Sequence, residues 1–326
     1  MDTVLIRDLV QAQEVEIKTG PFGTQLKASE YVDRGTPVLN VRNLGFSTVN
    51  TEKLEMVGSE TINRLSAHTL HTGDIVFGRK GAVERHAFIS EFEDGWMQGS
   101  DCIRLRVKNE RINARYLSYY FLTPQHRAFM LSMCSHGTTM ASLNQKIIEM
   151  ISIPLPKRKV QDQVVAVLSA LDEKIENNQE INDNLQQQLF SLYENMATTS
   201  PCLKEYTLSN LCDFQEGYVN PPQNHPEYFD GEVKWLRAVD INESFIIETS
   251  RTLTKAGFES AKKSALLFEP NTIAISKSGT IGRLGIIADY MCGNRAVINI
   301  APHDTNMLAF IYCFLKSKQR EFPDMA

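Results

Sequence analysis

The chain repeats itself. The segment Val38-Leu39-Asn40-Val41-Arg42-Asn43-Leu44 lies 197 residues ahead of Trp235-Leu236-Arg237-Ala238-Val239-Asp240-Ile241. At the same offset, residues 70–80 (LHTGDIVFGRK) fall on residues 267–277 (LFEPNTIAISK). With one residue inserted, Gly81-Ala82-Val83-Glu84-Arg85 then meets Gly279-Thr280-Ile281-Gly282-Arg283. Trp96-Met97-x-Gly99 meets Tyr290-Met291-x-Gly293 at offset 194, and Tyr119-x-Phe121-Leu122…Arg127-x-Phe129 meets Tyr312-x-Phe314-Leu315…Arg320-x-Phe322 at offset 193. Blocks that keep one order with small drifts mark a duplicated domain. Each copy reads as short β-branched and aromatic runs broken by Gly, Asn and Asp, followed by a helical pattern, over 113–133 in the first copy. The expected fold class is α+β, with two repeated domains.

A different pattern separates the copies. Ile153-Pro154-Leu155-Pro156 ends any extended element, because neither proline can lie inside a helix. Apolar residues then recur in steps of three and four at Val164, Leu168, Leu171, Ile175, Ile181, Leu185, Leu189, Leu192 and Met196. No Gly or Pro falls between 160 and 200, Asp162 sits near the start, and Ser200-Pro201 marks the stop. The spacing predicts a spacer α-helix over 162–196, about 50 Å long. Asn177, Asn178, Asn182 and Asn184 lower its intrinsic propensity, so it needs packing. Its narrow apolar seam calls for a helical partner, the plainer alternative being an ordinary core helix. The chain thus divides into a first domain (1–156), the spacer helix (157–199) and a second domain (200–326).

Composition excludes several classes. The longest apolar runs fall far short of the ~20 residues that cross a bilayer. The N-terminal Met1-Asp2-Thr3-Val4-Leu5-Ile6-Arg7-Asp8 lacks a signal-peptide pattern, so a cytoplasmic setting is expected. Cysteines 102, 134, 202, 212, 292 and 313 form no C-x-x-C pair, and His68 and His71 lack companion ligands, so neither disulfides nor a metal site is expected. Net charge is −5, which argues against indiscriminate nucleic-acid binding. Residues 1–156 nevertheless carry 17 basic side chains against 17 acidic ones, enough for a clustered basic face.

Groove readout needs polar and basic groups on loops. Lys18, Thr19, Gly20, Phe22, Gly23, Thr24, Gln25 and Lys27 form one such stretch, whose glycines would let amides approach a phosphate. Arg79, Lys80, Gly81 and Arg85 follow the strand-like Asp74-Ile75-Val76-Phe77, and Lys277, Gly279 and Arg283 repeat them. A third stretch holds His136, Thr138 and Thr139. Arg42 and Asn43, with counterparts Arg237 and Asp240, end another strand; Arg to guanine and Asn to adenine are natural bidentate pairings. For each stretch the plain alternative is a structural turn or a solvated surface. Scaffold residues match between the copies better than loop polar residues do, which fits two domains reading different sequences.

With these residues in view, the chain resembles the specificity subunit of type I restriction-modification enzymes. The resemblance spans essentially the whole chain. It is carried by residues 20–45 (GPFGTQLKASEYVDRGTPVLNVRNLG), 73–83 (GDIVFGRKGAV) and above all 153–190 (IPLPKRKVQDQVVAVLSALDEKIENNQEINDNLQQQLF). It implies two target-recognition domains, each reading half of a split double-stranded DNA target, held apart by long helices. It also implies modification subunits docked on the helix through Val164, Leu168, Leu171, Ile175, Ile181, Leu185, Leu189 and Leu192. Those subunits would carry S-adenosylmethionine and the N6-adenine methyltransferase site, and motor/nuclease subunits would join them in phage defence. The chain itself would hold no catalytic residue and no cofactor. One departure stands out: in the family a second spacer helix follows the second domain and packs antiparallel on the first. Here the sequence stops at Phe322-Pro323-Asp324-Met325-Ala326. The resemblance therefore leaves open a shortened second domain, or a second specificity chain supplying the mate.

The rival reading is an N6-adenine methyltransferase using Asn220-Pro221-Pro222, an N-P-P-aromatic-like motif. Its fourth position, Gln223, is ill suited to stack on a flipped base. No Gly-rich strand-turn-helix cofactor site precedes it.

Overall fold

A computed structural model describes residues 3–21, 23–134, 142–199 and 204–325. By contact density the chain forms two compact units, Met1–Asn177 and Asn178–Ala326.

The first unit is built on two four-stranded sheets, with a further antiparallel pair between Thr3–Leu5 and Ser152–Pro154. One has the order Val15–Thr19, Cys102–Val107, Ile75–Gly78, His86–Phe88, all antiparallel. The other has the order Tyr31–Val32, Glu55–Val57, Thr36–Leu39, Met97–Gln98, and its last pair is parallel, with Val38 opposite Met97 and Leu39 opposite Gln98. Ile75, Phe77, Ile103 and Leu105 alternate inward and form a core with Leu117 and Phe121 of the following helix. The predicted helical stretch 113–133 is in fact two helices, Ala114–Phe121 and Pro124–Cys134. The Asn113 side chain caps the first by accepting from the Arg115 and Tyr116 amides. Pro124 has no amide hydrogen to continue that helix and instead opens the next.

The second unit repeats this plan. Cys212–Glu216, Val297–Pro302, Thr272–Ser276 and Leu284–Ile287 lie side by side in that order, and Phe245–Ile246 adds a fifth strand. Thr252–Leu253, Phe229–Leu236 and Cys292–Gly293 form the other sheet, again with a parallel pair, Trp235 opposite Cys292 and Leu236 opposite Gly293. For the strands the copies share, order and sense agree, so the duplication is one of tertiary structure.

The backbone ladder nevertheless moves two of the matched blocks by one residue. The Arg79 amide donates to the Asp101 carbonyl, and its equivalent is the Lys277 amide donating to Ala296. Gly73 donates to Ile89 as Asn271 donates to Ile287, and both Gly73 and Asn271 have positive φ. Asn tolerates the left-handed region better than most residues, so it replaces Gly in this turn. The block therefore needs no insertion before Gly81, and Arg79, not Lys80, is the counterpart of Lys277. Likewise Gly99 donates to Leu39 as Asn294 donates to Leu236, which makes Asn294 rather than Gly293 the counterpart of Gly99. Alignment of lysine with lysine gives the wrong frame; hydrogen-bond registry decides it.

The helix between the copies runs from Arg158 to Thr199, longer than predicted at both ends. Within the first unit it is tied down at its start. Gln161, fully buried, donates to the Arg111 and Pro156 carbonyls and accepts from the Asn113 amide. About three turns later the Asp172 carboxylate accepts from the Tyr119 hydroxyl at 2.6 Å and from Arg115 at 3.2 Å. Within the second unit Phe190 joins the core of Ile311 and Leu315, and Tyr193 meets Phe310 edge-on at 5.2 Å. The rest of the seam faces outward: Leu171, Ile175, Leu185 and Leu192 are each more than half exposed. It is not a core helix. No helix among the described residues is long and apolar enough to cross a membrane.

Candidate nucleic-acid interface

Three stretches far apart in sequence meet at one end of the first unit's four-stranded sheet. Thr19 pairs with Ile103 and Gly78 with Cys102, so the strands carrying Lys18-Thr19 and Gly78-Arg79 both end beside the start of Cys102–Val107. The Gly20 amide donates to the Cys102 carbonyl and the Arg79 amide to Asp101. The segment after residue 141 comes to the same place: Leu143 donates to the Arg79 carbonyl, Ser142 bridges Lys80, and Gln145 Nε2 donates to Thr19 Oγ1 at 3.0 Å. The exposed residues Gly23, Thr24, Gln25 and Lys27 follow from Gly20. Phe22, His136, Thr138 and Thr139 lie outside the described residues.

The turn after Gly78 has the form a phosphate-facing loop needs. Gly81 sits at φ +78 and is exposed, with nothing near its missing side chain, while Lys80 and Arg85 point into solvent. Arg85 lies 5.5 Å over the Phe46 ring and Arg127 lies 5.9 Å over the same ring. Phe46 is 46% exposed, an aromatic surface between two guanidinium groups that loop-by-loop reading passed over. The only sequence signal was a large apolar residue within Gly45-Phe46-Ser47, where a solvated turn favours small or polar groups.

Two proposed contacts are corrected. Gly20 does make a close approach, but to its own backbone: a Cβ there would come within 2.0 Å of the Gly99 carbonyl oxygen. Gly217 meets Asn294 in the same way in the second unit. Asn43 is fully buried. Its Nδ2 donates to the Asn50 and Glu52 carbonyls and its Oδ1 accepts from the Asn40 amide, so no edge is left for a base. Its counterpart Asp240 accepts from the Arg237 and Ser250 amides in the same fashion. Both are loop fasteners. Arg42 stays at the surface in an ion pair with Glu55 at 2.9 Å, and Arg237 lies 5.7 Å over the Trp235 ring.

In the second unit the equivalent turn keeps Gly279 at φ +78, but the cations flanking it are more enclosed. Lys277 pairs with Glu216 at 2.7 Å, which holds that carboxyl below its usual range. Arg283 is half-buried, its amide bonded to Ser276 Oγ. Asn220-Pro221-Pro222-Gln223 forms a loop in which Gln223 accepts from Arg251, itself stacked over Phe229.

Five cysteines (102, 134, 212, 292 and 313) are free and buried. Among the described residues no group of three His, Cys, Asp or Glu side chains gathers as metal ligands.

A family model described as the type I restriction modification DNA specificity domain matches residues 24–187 and again residues 203–325. The type I restriction enzyme MjaVIII specificity subunit of Methanocaldococcus jannaschii is 24% identical over 174 residues, which are 52% of this chain and 40% of that protein. The MjaX specificity subunit of the same organism matches with the same figures. The chain thus spans less than half the length of these curated relatives. The crystal structure of a type I restriction-modification S subunit from M. genitalium shares the fold, with a TM-score of 0.57 over 99% of this chain and 78% of that chain at 16% identity.

Proposed function

The chain belongs to the type I restriction modification DNA specificity family, and from that premise we propose that it is the sequence-reading subunit of a DNA-modifying assembly. Each unit reads one half of a bipartite duplex target. The observation that carries this reading is that Thr19-Gly20, leading into the Gly23–Lys27 loop, and Gly78-Arg79, leading into the Lys80–Arg85 turn, end side by side at one end of a packed sheet. Backbone contacts from Lys27, Lys80 and Arg85 would set register, and Thr24 and Gln25 offer hydrogen bonds to base edges.

The long helix is the platform on which modification subunits dock, and those subunits hold S-adenosylmethionine and the N6-adenine methyltransferase site. A motor/nuclease subunit completes the restriction assembly. This chain contributes recognition and no catalytic group, and it works in the cytoplasm. With a net charge of −5, it draws part of its positive field from the partner.

The test is a duplex titration with and without the modification subunit over a range of salt. A steep inverse salt dependence is expected, strengthened by the partner, with a methylome showing modified adenines in a split motif. Salt-independent association, or S-adenosylmethionine bound by the isolated chain, refutes the reading.

A further inference from the structure

The first unit joins its spacer helix to its loop surface through a chain of polar side chains. Arg115 donates to the Asp172 carboxylate at 3.2 Å and to Ser47 Oγ at 3.3 Å. Its guanidinium also lies over the Phe88 and Tyr119 rings, 4.7 and 4.8 Å from their centres. Ser47 Oγ meets Ser118 Oγ at 2.7 Å, and Ser118 Oγ meets His86 Nε2 at 2.9 Å. A guanidinium can only donate, so Ser47 is left to donate to Ser118 and Ser118 to His86. Ser118 and His86 are fully buried, and Ser47 is nearly so.

The far end of this chain bears on the aromatic and cationic pair beside the Gly81 turn. Ser47 follows Phe46 and His86 follows Arg85 in sequence. The Ser47 amide donates to the His86 carbonyl at 2.8 Å, and Phe46 forms a backbone bridge with His86. The network thus clamps two facing backbone positions, from which Phe46 and Arg85 project into contact at 5.5 Å.

The fold does not need polar groups here. At the offset that sets Tyr119 on Tyr312, Arg115 falls on Leu308 and Ser118 on Ile311, and the strand ladder puts Leu284 in the place of His86. In the second unit those three residues join one apolar core. Such a core desolvates no polar group, which leaves the fixing of a single arrangement, rather than stability, as what the network adds in the first unit. The paired tyrosines differ in the same sense. Tyr119 donates to Asp172 on the helix, whereas Tyr312 donates to the backbone carbonyl of Glu243, the counterpart of Phe46. We propose that Arg115 is a positioning residue: through Asp172 and Ser47 it carries the placement of the spacer helix to the Phe46–Arg85 surface with which the first unit meets its duplex. The link to the duplex rests on the recognition reading; the link from helix to loop does not.

The full chain carrying Phe46→Trp reports on the loop without DNA. Native Trp96 and Trp235 are only 7% and 4% exposed, so a solvent quencher reaches mainly the introduced indole. In that background Asp172→Asn should raise acrylamide quenching about twofold or more, the effect of weakening one charge-assisted bond. Glu173→Gln, which neutralises the next carboxylate on the helix, an exposed one, should leave quenching unchanged. Arg115→Leu, which installs the second unit's side chain, should raise quenching as Asp172→Asn does, with unchanged far-ultraviolet circular dichroism. Adding Asp172→Asn to Arg115→Leu should then change nothing further. Quenching unmoved by Asp172→Asn, or moved equally by it with and without Arg115, overturns the proposal. In the otherwise native chain, Asp172→Asn should lower duplex affinity several-fold and Glu173→Gln should not. Equal affinities beside altered quenching would overturn the duplex link and leave the helix-to-loop link standing.

Discussion

Two copies of one frame carry different working surfaces. In both units a Gly at φ +78 turns the chain after the same strand, a glycine abuts the facing backbone, and an Asn or Asp side chain fastens the loop after the parallel strand. What changes is the side chains the frame presents. Lys80 and Arg85 are exposed in the first unit, whereas in the second Ser278 stands in the place of Lys80 and Arg283, in the place of Arg85, is half-buried. Phe46 spreads under two arginines in the first unit; its counterpart Glu243 instead accepts from Lys316 and Gln319. Backbone-fixing positions cannot change without losing the loop, while presented positions can vary at little cost to folding. That asymmetry suits the proposed reading of two half-sites.

The comparison breaks most readily at the sheet centre. Arg104 is buried and paired with Glu16 at 2.7 Å, also donating to the Ala67 and Thr69 carbonyls, whereas its ladder counterpart is the neutral Asn299. Arg104→Ala empties a buried side-chain site and leaves the Ala67 and Thr69 carbonyls without that donor, while Lys108 still partners Glu16; it should cost the first unit about 3 kcal/mol. Asn299→Ala should cost the second unit about 1 kcal/mol. Denaturant titration resolved by hydrogen exchange over each unit reads both, and equal losses would erase the distinction.

Acid should separate the units next. Burial drives the His86 pKa down to about 3, with His126 nearby adding to it, and burial drives His126 to about 4. The counterpart of His86 is Leu284, which does not titrate. The folded state holds these rings neutral while an unfolded chain protonates them near 6.5. Their contribution is thus complete above about pH 6.5 and falls as pH drops toward the folded values, by roughly 3 kcal/mol for His126. Glu14 and Glu16, depressed by Arg111 and Lys108, lose stability in the same direction at lower pH. The first unit should therefore melt before the second on acidification, and His86→Leu should narrow the gap. Coincident melting at pH 4 would contradict this.

At the presented surface, Lys80→Glu with Arg85→Glu should weaken duplex binding about tenfold or more at moderate salt and flatten the salt slope, leaving subunit assembly intact. Unchanged affinity removes the turn from the interface. The smallest effect is expected from Glu216→Gln. This exposed pair contributes little to stability, yet its loss frees Lys277 and should modestly raise DNA affinity of the second unit. A fall in affinity would mean that Glu216 itself positions the contact.

Much of this architecture is legible in the residues alone. Repeated glycines and aromatics exposed the duplication, and the Gly/Pro-free run with its three-four spacing exposed the helix. The convergent loops were each recognisable as turns with cations. Asn43 was misread because its type suits both a base edge and a buried loop fastener, and linear sequence cannot say which way an amide faces. Gly20 was misread because close backbone approach looks the same in sequence whether the neighbour is a phosphate or another strand.

By itself the sequence determined which segments extend, turn and coil, since those follow from dihedral preferences and apolar period over a few residues. It also settled that one plan occurs twice. Tertiary structure alone decided that Arg79 and not Lys80 answers to Lys277, that Arg104 is neutralised inside a sheet, and that the segments at Gly20, Arg79 and Leu143 share one edge. Those facts depend on which strands lie side by side, and hydrogen-bond registry between residues some eighty positions apart is set by the whole packed sheet rather than by any local stretch of chain.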